Sequence, residues 1–371
     1  MTPKYYMNTQ LRISLASLVF AGVTQIVSAA PGGGGQPKFE GSGNYFGLAD
    51  GTAFADSGCV SIVVSGKGSA SVGLKIGAEK SAVVGAIDPL TKQFTVNVGS
   101  ANPYGVAFTL VSVPNAPTRA DGTLTVDGNP VPFSAPVLTR NPLGANVPAA
   151  GKFTAVLDGI IGAAALETTA GVAKLRVLPG GKLKVDPTMA DGRVLPFVTQ
   201  IAADGSARFW RPIGKTGALA GTLQFSNDPL ATADVTGSVD WFKGAKEDGQ
   251  FYPEAFNAAL TLEGSRYTKS APILDFSASA GVGVLTVDLS ELADPVVVEG
   301  ALDNQNKFTI TGDGSVKLGF NQGVGLARGS AAEASGAKGV LAGVVLQKQN
   351  VARGIVFGEL ATGEFQLNRK P

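Results

Sequence analysis

Residues 171–185 read Gly-Val-Ala-Lys-Leu-Arg-Val-Leu-Pro-Gly-Gly-Lys-Leu-Lys-Val, and this stretch decides the fold. Lys174 and Arg176 alternate with apolar residues before the Pro-Gly-Gly turn, and the alternation resumes after it. A period of two residues is typical of a strand with one buried face, and a glycine-rich turn between two such runs is typical of a hairpin. The stretch therefore predicts two adjacent antiparallel strands.

The same pattern recurs along the chain. Short runs rich in Val, Thr, Phe and Leu are separated by Asp-Gly pairs, which suit the positive φ of tight hairpin turns. Further hairpins are predicted around Asp127 and Asp313. The sequence predicts an all-β protein of two or more antiparallel β-barrel- or sandwich-like units, with almost no helix after the signal peptide. The eight Asp-Gly pairs begin at Asp50, Asp121, Asp127, Asp158, Asp191, Asp204, Asp248 and Asp313.

The N-terminus resembles a secretory signal. Lys4 and Arg12 form a basic region, residues 13–27 are apolar, and Val27-Ser28-Ala29 is a small-residue cleavage site that leaves Ala30 first. We therefore expect an exported protein located extracellularly, at the cell surface or in the periplasm. The expected organisation is a signal peptide at 1–29, a flexible Gly/Pro-rich tether at 30–41, an N-terminal β domain at 42–140, a linker at 141–150, and a C-terminal β domain at 151–371 with a further subdivision near 248–255.

Composition excludes several classes of function. The chain contains no histidine, which excludes Ser-His-Asp triads, Cys-His pairs and histidine-bearing metal sites. Its one cysteine, Cys59, lies in an apolar strand pattern, so we expect a buried thiol and no internal disulfide. No nucleophile or phosphate-binding motif is recognisable. We expect no enzyme activity, no cofactor and no metal site.

Charge also limits the partners. The chain has 30 basic and 29 acidic residues, and removal of 1–29 takes away Lys4 and Arg12 but no acid. A chain so evenly balanced has no overall electrostatic footprint for nucleic acid or for an anionic membrane surface. The partner remains unknown, and a cell-surface protein or a polysaccharide is the class we expect.

Four aromatic residues are the candidate ligand-binding residues, namely Trp210, Trp241, Tyr252 and Tyr267. Exposed Trp and Tyr side chains stack on sugar rings or anchor a protein partner. The competing interpretation is that they fill the core. Whether these four rings are exposed together or buried apart distinguishes the two interpretations.

Two alternatives stay open. The first is a carbohydrate-binding module or a carboxylate-dependent glycosidase, for which Asp240, Glu254 and Glu263 are candidates, because a pair of acids within about 5–10 Å suffices without histidine. The second is an outer-membrane β-barrel. Lysine and arginine on the predicted strand exteriors, as at Lys174 and Arg176, count against lipid contact.

The C-terminal two-thirds resembles a group of uncharacterised secreted β-rich bacterial proteins and C-terminal modules. The resemblance implies association with a cell surface or matrix, because such modules often follow tandem adhesive domains, and it assigns no activity or binding residue. The leading hypothesis is therefore an exported non-catalytic protein with a structural or interaction role. The segments that carry the resemblance are 221–225 (GTLQF), 237–243 (GSVDWFK), 252–256 (YPEAF), 264–267 (GSRY), 343–350 (GVVLQKQN), 354–358 (GIVFG) and 362–365 (TGEF).

Overall fold

The computed structural model describes residues 38–371, apart from residues 52, 98–103, 115, 140–146, 148, 163–167, 247–248, 271, 290–293, 304–305, 312–315 and 333–337. The expected signal peptide at 1–29 lies outside the described residues, together with residues 30–37 of the tether and most of the linker at 141–150. Phe39–Pro371 form one compact unit. Within the described residues, no helix is long and apolar enough to cross a membrane.

The described residues form three antiparallel sheets of eight strands each. In every sheet, strands that follow one another along the chain are neighbours except at one step, and the first strand also pairs with the eighth. Each sheet is therefore a nearly closed barrel with one seam. The seam lies between the fourth and fifth strands in the first two sheets, and between the third and fourth strands in the third sheet. This confirms the predicted all-β class with barrel-like units. The other element described is a 3-10 turn, Ser277–Ser279.

The sheets follow one another along the chain without exchanging strands. The first consists of β1 Gly43–Ala49, β2 Gly58–Val64, β3 Ser69–Ile76, β4 Glu79–Ala86, β5 Gln93–Val96, β6 Gly105–Val111, β7 Arg119–Val126 and β8 Asn129–Pro136. The second consists of β9 Gly151–Gly159, β10 Thr168–Val177, β11 Lys182–Met189, β12 Phe197–Gln200, β13 Ser206–Ile213, β14 Gly217–Phe225, β15 Val235–Lys243 and β16 Phe256–Arg266. The third consists of β17 Val282–Asp288, β18 Val296–Leu302, β19 Phe308–Ile310, β20 Val316–Asn321, β21 Leu326–Ala332, β22 Lys338–Leu346, β23 Val351–Phe357 and β24 Thr362–Arg369.

Two of the predicted hairpins form as expected. Strands β10 and β11 pair antiparallel around the Pro-Gly-Gly turn, with Arg176 opposite Lys184. Strands β7 and β8 are joined by Asp127 and Gly128, which have φ values of 48° and 82°. Two successive positive φ angles are those of a type I′ turn, whose twist matches that of the flanking strands.

The third predicted hairpin, around Asp313, does not form a continuous ladder. Strands β19 and β20 lie at the two edges of the third sheet, and an isolated bridge between Lys307 and Gly319 joins that region. Residues 312–315 lie outside the described residues. Each strand pairs instead with its other neighbour and sends Phe308 or Val316 into the common core, so its apolar face is buried without the hairpin.

Apolar side chains fill the inside of each sheet, because the two-residue period places them on one face. The largest fully buried side chains include Tyr45 and Phe94 in the first sheet, Phe153 and Trp241 in the second, and Phe365 in the third. A full eight-stranded barrel is just wide enough for its interior to be filled by side chains. The three interiors are therefore packed cores.

The first and second sheets are joined by backbone and by apolar contact. Leu138 forms an isolated bridge with Ala202, and the amide of Ala203 donates to the carbonyl of Val137 at 2.9 Å. A buried cluster, the first junction, lies between the sheets. It contains Leu48, Cys59, Trp210, Ala218, Ala220 and Phe242.

A second buried cluster, the second junction, joins the second and third sheets and contains Val156, Val172, Val344, Leu346 and Val351. The change from the second sheet to the third falls after Arg266. The residues near 248–255, where a weaker break was expected, connect β15 to β16, which pair with each other in the second sheet. The division of the chain into separate domains stays a prediction.

Candidate functional site: an aromatic cleft beside the second sheet

Trp241 lies inside the second sheet. Its side chain is fully buried, and its ring meets the edge of Phe256 at a centroid distance of 5.0 Å. The indole N–H has no hydrogen-bond partner among the described residues. A ring with no exposed surface cannot stack on a sugar, so Trp241 acts in this structure as a core residue.

Trp210 faces outward from the second sheet but is covered by the first. It is 8% exposed, stacks on Phe54 at 5.9 Å and lies 6.1 Å from Phe242. Its position in the first junction explains why an aromatic residue occupies an outward position on β13. Trp210 therefore holds two sheets together in this structure.

Tyr267 follows β16 and is also buried. Its hydroxyl donates to the carbonyl of Gln322 at 2.6 Å, which links the end of the second sheet to the β20–β21 turn of the third. Burial raises the pKa of this hydroxyl above its usual value, although the Gly325 backbone opposes the shift. The ring presents no face for a ligand.

Tyr252 differs from the other three because it borders open space. It is half-buried, has a φ of 50°, and its hydroxyl lies 2.7 Å from the hydroxyl of Thr362 in the third sheet. Burial raises the pKa of Tyr252, so the phenol is neutral at physiological pH. The structure therefore does not bring the four candidate rings together, and among the described residues Tyr252 is the one of the four that lines the cavity described next.

The cavity beside Tyr252, which we call the aromatic cleft, has a volume of about 650 Å³. Its surface combines aromatic rings with a few polar groups, and Leu360 at its rim is 83% exposed. Ligand sites typically are clefts of about 300–1,000 Å³ with a mainly apolar lining and a few oriented polar groups. The lining residues are Ile161, Gly162, Phe251, Tyr252, Pro253, Glu254, Ala255, Phe256, Leu360, Ala361 and Thr362.

Lys243 positions one wall of the aromatic cleft. Its ammonium donates to the carbonyls of Gly244 and Glu254, both at 3.1 Å, and so ties together the two ends of the connection between β15 and β16. It also lies 5.8 Å from the centre of the Phe256 ring. Burial lowers the pKa of this lysine, with Arg193 as the next cause.

Sequence reasoning missed Lys243 and Thr362. A signal for Lys243 was available, since it shares the inward-facing period of Trp241 on β15. A lysine at an inward position needs polar partners, and the carbonyls of the loop supply them. Thr362 could not be found in this way, because it approaches Tyr252 only through the packing of the third sheet on the second.

The three candidate acids are not grouped. Glu254 borders the aromatic cleft, whereas the carboxylate of Glu263 accepts a hydrogen bond from Gln349 at 3.0 Å. Burial raises the pKa of Asp240, and the charge of Asp50 on the first sheet raises it further. Burial also raises the pKa of Asp50, while Arg208 opposes the shift. Asp50 had been interpreted as a turn residue.

The chemistry available in the described part of the chain is limited. No group of three or more Cys, Asp or Glu side chains in the described residues could hold a metal ion. The aromatic cleft offers ring faces, a neutral phenol, a threonine hydroxyl and the carboxylate of Glu254. These groups can bind an apolar or hydroxyl-rich partner without taking part in a reaction.

No family model matches this chain, and no curated protein matches it. Among solved structures, a protein of unknown function from the DUF3598 family of Nostoc punctiforme is similar at 8% identity, over 61% of this chain and 96% of that chain, with a TM-score of 0.24. Transferrin binding protein B from serogroup B Neisseria meningitidis is similar at 10% identity, over 85% of this chain and 64% of that chain, with a TM-score of 0.21.

A double mutant of transferrin binding protein B from Haemophilus parasuis Hp5 is similar at 10% identity, over 88% of this chain and 74% of that chain, again with a TM-score of 0.21. TM-scores this low assign neither a fold nor a function to this chain.

Proposed function

We propose that this chain is an exported, non-catalytic interaction protein, located at the cell surface or in the periplasm, which binds its partner in the aromatic cleft. The observation that carries the proposal is the contrast, within the described residues, between filled interiors and an accessible aromatic cleft. The three sheets are packed by their own side chains, whereas Tyr252, Phe256 and Leu360 border open space. Apolar surface left in a cleft is typical of a binding site.

The experiment uses two matched leucines. Leu360 is 83% exposed in the aromatic cleft, and Leu90 is 91% exposed in the turn between β4 and β5, away from the cleft. The purified chain is added to cells of the source that lack it, and the retained protein is measured after washing. Leu360→Ala should reduce retention, and Leu90→Ala should not. Equal retention of the two variants would refute a role for the cleft.

Export is tested separately. The full chain is expressed in its own host, the cells are fractionated, and the N-terminus of the recovered protein is sequenced. Export with cleavage should give Ala30 as the first residue, in the periplasmic, surface or culture fraction. Recovery of uncleaved protein in the cytosol would contradict the proposal.

Carbohydrate binding is the first alternative, and the ring faces and hydroxyls of the aromatic cleft favour it. Tyr252 and Phe256 meet edge to face at 5.9 Å, and such rings offer faces to sugar C–H groups. Glycan-array binding by the wild-type chain that is lost in Leu360→Ala would favour this alternative. An array without hits would leave a protein partner as the better explanation.

For a carboxylate-dependent glycosidase the two acids to test are Asp240 and Asp50, because the charge of Asp50 raises the pKa of Asp240. Such enzymes separate their acids by about 5–5.5 Å when retaining and about 6.5–9.5 Å when inverting. Release of reducing ends from polysaccharides is the assay. Activity that both Asp50→Asn and Asp240→Asn abolish, and that Glu263→Gln preserves, would support this alternative over the proposal.

The structure supports an outer-membrane barrel less well than carbohydrate binding or glycosidase activity. In the second sheet, Leu175 and Val177 face the core while Arg176 faces outward. A barrel in lipid needs the reverse arrangement, with an apolar exterior.

A further inference from the structure

Three cations form a row across the outer face of the second sheet. Arg176 on β10 lies directly opposite Lys152 on β9 and directly opposite Lys184 on β11. All three side chains are exposed. Side chains at directly opposite positions have Cβ atoms about 4.5–5.5 Å apart, and like charges so placed destabilise a sheet. The row therefore costs stability in the free protein.

Nearby acids do little to offset this charge. Lys174 and Lys182 lie on the same outward face. Asp186 is an acidic residue on this face, and its Oδ2 lies 3.7 Å from Nζ of Lys174. Both members of that pair are well exposed, so their attraction is weak. In the part of the chain that the structure describes, Arg176, Lys182 and Lys184 form no ion pair or side-chain hydrogen bond. We call Lys152, Lys174, Arg176, Lys182 and Lys184 the basic face.

The basic face borders a trough along the contact between the second and third sheets. One depression of about 280 Å³ is lined by Lys152, Arg176 and Lys184, and another of about 370 Å³ is lined by Arg328 of the third sheet. Lys174 and Asp186 line both depressions, so the two adjoin. The trough thus has cations along its length and on both of its sides.

The shape and chemistry of the trough favour one class of polyanion. Adjacent strands are about 4.8 Å apart, so the row presents charges at a spacing close to the length of one sugar residue. The outward neighbours on these strands are Thr188, Val198 and Gln200. None of the described residues on this face offers an aromatic ring to stack on a base, as proteins that bind single-stranded nucleic acid do.

We propose that the trough and the basic face bind a linear acidic polysaccharide, with its carboxylate or sulfate groups against Lys152, Arg176 and Lys184. A bound polyanion removes the repulsion within the row and so offsets its cost in stability. This inference rests on the proposed export, since an exported chain meets such polymers outside the cytoplasm. It uses a surface separate from the aromatic cleft.

Binding of the full chain to polygalacturonate tests the proposal, with dextran of the same length as the uncharged control. The variant is Lys152→Gln/Arg176→Gln/Lys184→Gln. Its matched control is Lys80→Gln/Lys215→Gln/Lys317→Gln, which removes three exposed cations elsewhere. We expect polygalacturonate binding to weaken about tenfold or more in the first variant, by less than about twofold in the control, and to weaken in the wild type as salt rises.

Thermal denaturation tests whether the first variant is still folded. Neutral side chains relieve the repulsion, whereas Lys152→Gln also removes the exposed hydrogen bond from Lys152 Nζ to the carbonyl of Gly323 at 3.0 Å. The first variant should therefore have a Tm close to that of the wild type. Absence of polygalacturonate binding by the wild type, or equal loss in both variants, would overturn the proposal. Tighter binding to duplex DNA or to vesicles containing anionic lipid than to polygalacturonate would overturn the choice of partner. None of these results changes the outcome of the fractionation or leucine tests.

Discussion

Arg353 of β23 binds Asp158 of β9 through two hydrogen bonds across the contact between the third and second sheets. Nη1 donates to Oδ2 at 3.1 Å and Nη2 donates to Oδ1 at 3.0 Å. The side chains are only 23% and 17% exposed. The hydroxyl of Thr169 donates to the same carboxylate at 3.1 Å. This bidentate ion pair lies beside the apolar second junction and fixes the orientation of the third sheet on the second.

Loss of Arg353 should therefore loosen the contact between these sheets. In Arg353→Ala, the carboxylate of Asp158 loses its cation in a partly buried place, and we expect the free energy of unfolding to fall by about 1–3 kcal/mol. Arg353→Lys should recover only part of this, because an ammonium cannot form the two parallel bonds. Urea denaturation measures the change.

Lys370→Ala is the control for this prediction. Nζ of Lys370 lies 2.8 Å from Oε1 of Glu299, but both side chains are nearly half exposed. An exposed pair contributes at most about 1 kcal/mol. If Arg353→Ala and Lys370→Ala lowered the free energy of unfolding equally, burial of the Arg353–Asp158 pair would not add to its contribution to stability.

Gly343 and Gly354 leave room for an aromatic ring. They lie opposite each other on β22 and β23, and the buried ring of Phe365 on β24 lies so close that a Cβ on Gly343 would collide with its Cζ. Gly343→Ala should lower the free energy of unfolding by about 1–3 kcal/mol, because the ring must shift in a packed core. Gly180→Ala should be neutral or slightly stabilising, since a Cβ at Gly180 meets nothing within 4 Å.

Cys59 should be almost unreactive in the folded protein. Burial raises the pKa of its thiol from 9.0 to about 12, although Lys75 opposes the shift. At pH 8 the thiolate fraction is then about a thousandfold lower than in the unfolded chain, and the thiolate is the reactive form. Labelling with a chromogenic disulfide should become fast only when urea unfolds the first sheet.

Labelling of Cys59 also reports on the first junction. Trp210→Ala removes a neighbour from the cluster that covers the thiol, so labelling should accelerate in the absence of urea. Trp241→Phe, which alters the core of the second sheet, should accelerate it less. The same rate in both variants would mean that labelling follows global unfolding.

The stability of the protein should depend on Asp240 in a pH-sensitive way. Its folded pKa is raised, first by burial and then by Asp50, above the ordinary value of 3.8. The folded state therefore binds this proton more tightly than the unfolded state, and ionisation at higher pH costs stability. Asp240→Asn should raise the Tm at pH 7, and the gain should disappear as the pH falls towards 3.8.

Asp275 should change stability with pH in the opposite direction to Asp240. Hydrogen bonds from Ser277 lower the pKa of its carboxyl, so its charged form favours folding at neutral pH. Asp275→Asn should lower the Tm at pH 7, with the loss shrinking in acid. A gain at pH 7 in both variants would mean that general charge reduction explains the Asp240 result.

Local features of this fold could be predicted from the sequence. The alternation around Arg176 predicted two paired strands, and Asp127-Gly128 predicted a tight turn. Both features depend on neighbours within a few residues. The apolar period that places Leu175 inside and Arg176 outside was also readable. The all-β class with barrel-like units followed from these local signals.

Features set by distant parts of the chain could not be predicted. The pairing of each first strand with its eighth, and hence the seam that separates β19 from β20, depends on closure of the whole sheet. The burial of Trp210 depends on Phe54 in another sheet, and the contact of Tyr252 with Thr362 spans 110 positions. The sequence gives no periodic signal for such pairs.

The pairing of each sheet's first strand with its last has a consequence for how such a chain can change in evolution. The backbone enters and leaves each sheet on adjacent strands, as β9 and β16 do. A segment whose ends lie side by side can be duplicated, deleted or transplanted without rethreading the rest of the chain. Tandem copying of one ancestral module is then the simplest origin for three eight-stranded sheets that each pair their first strand with their eighth, and relatives that contain other numbers of copies should be viable.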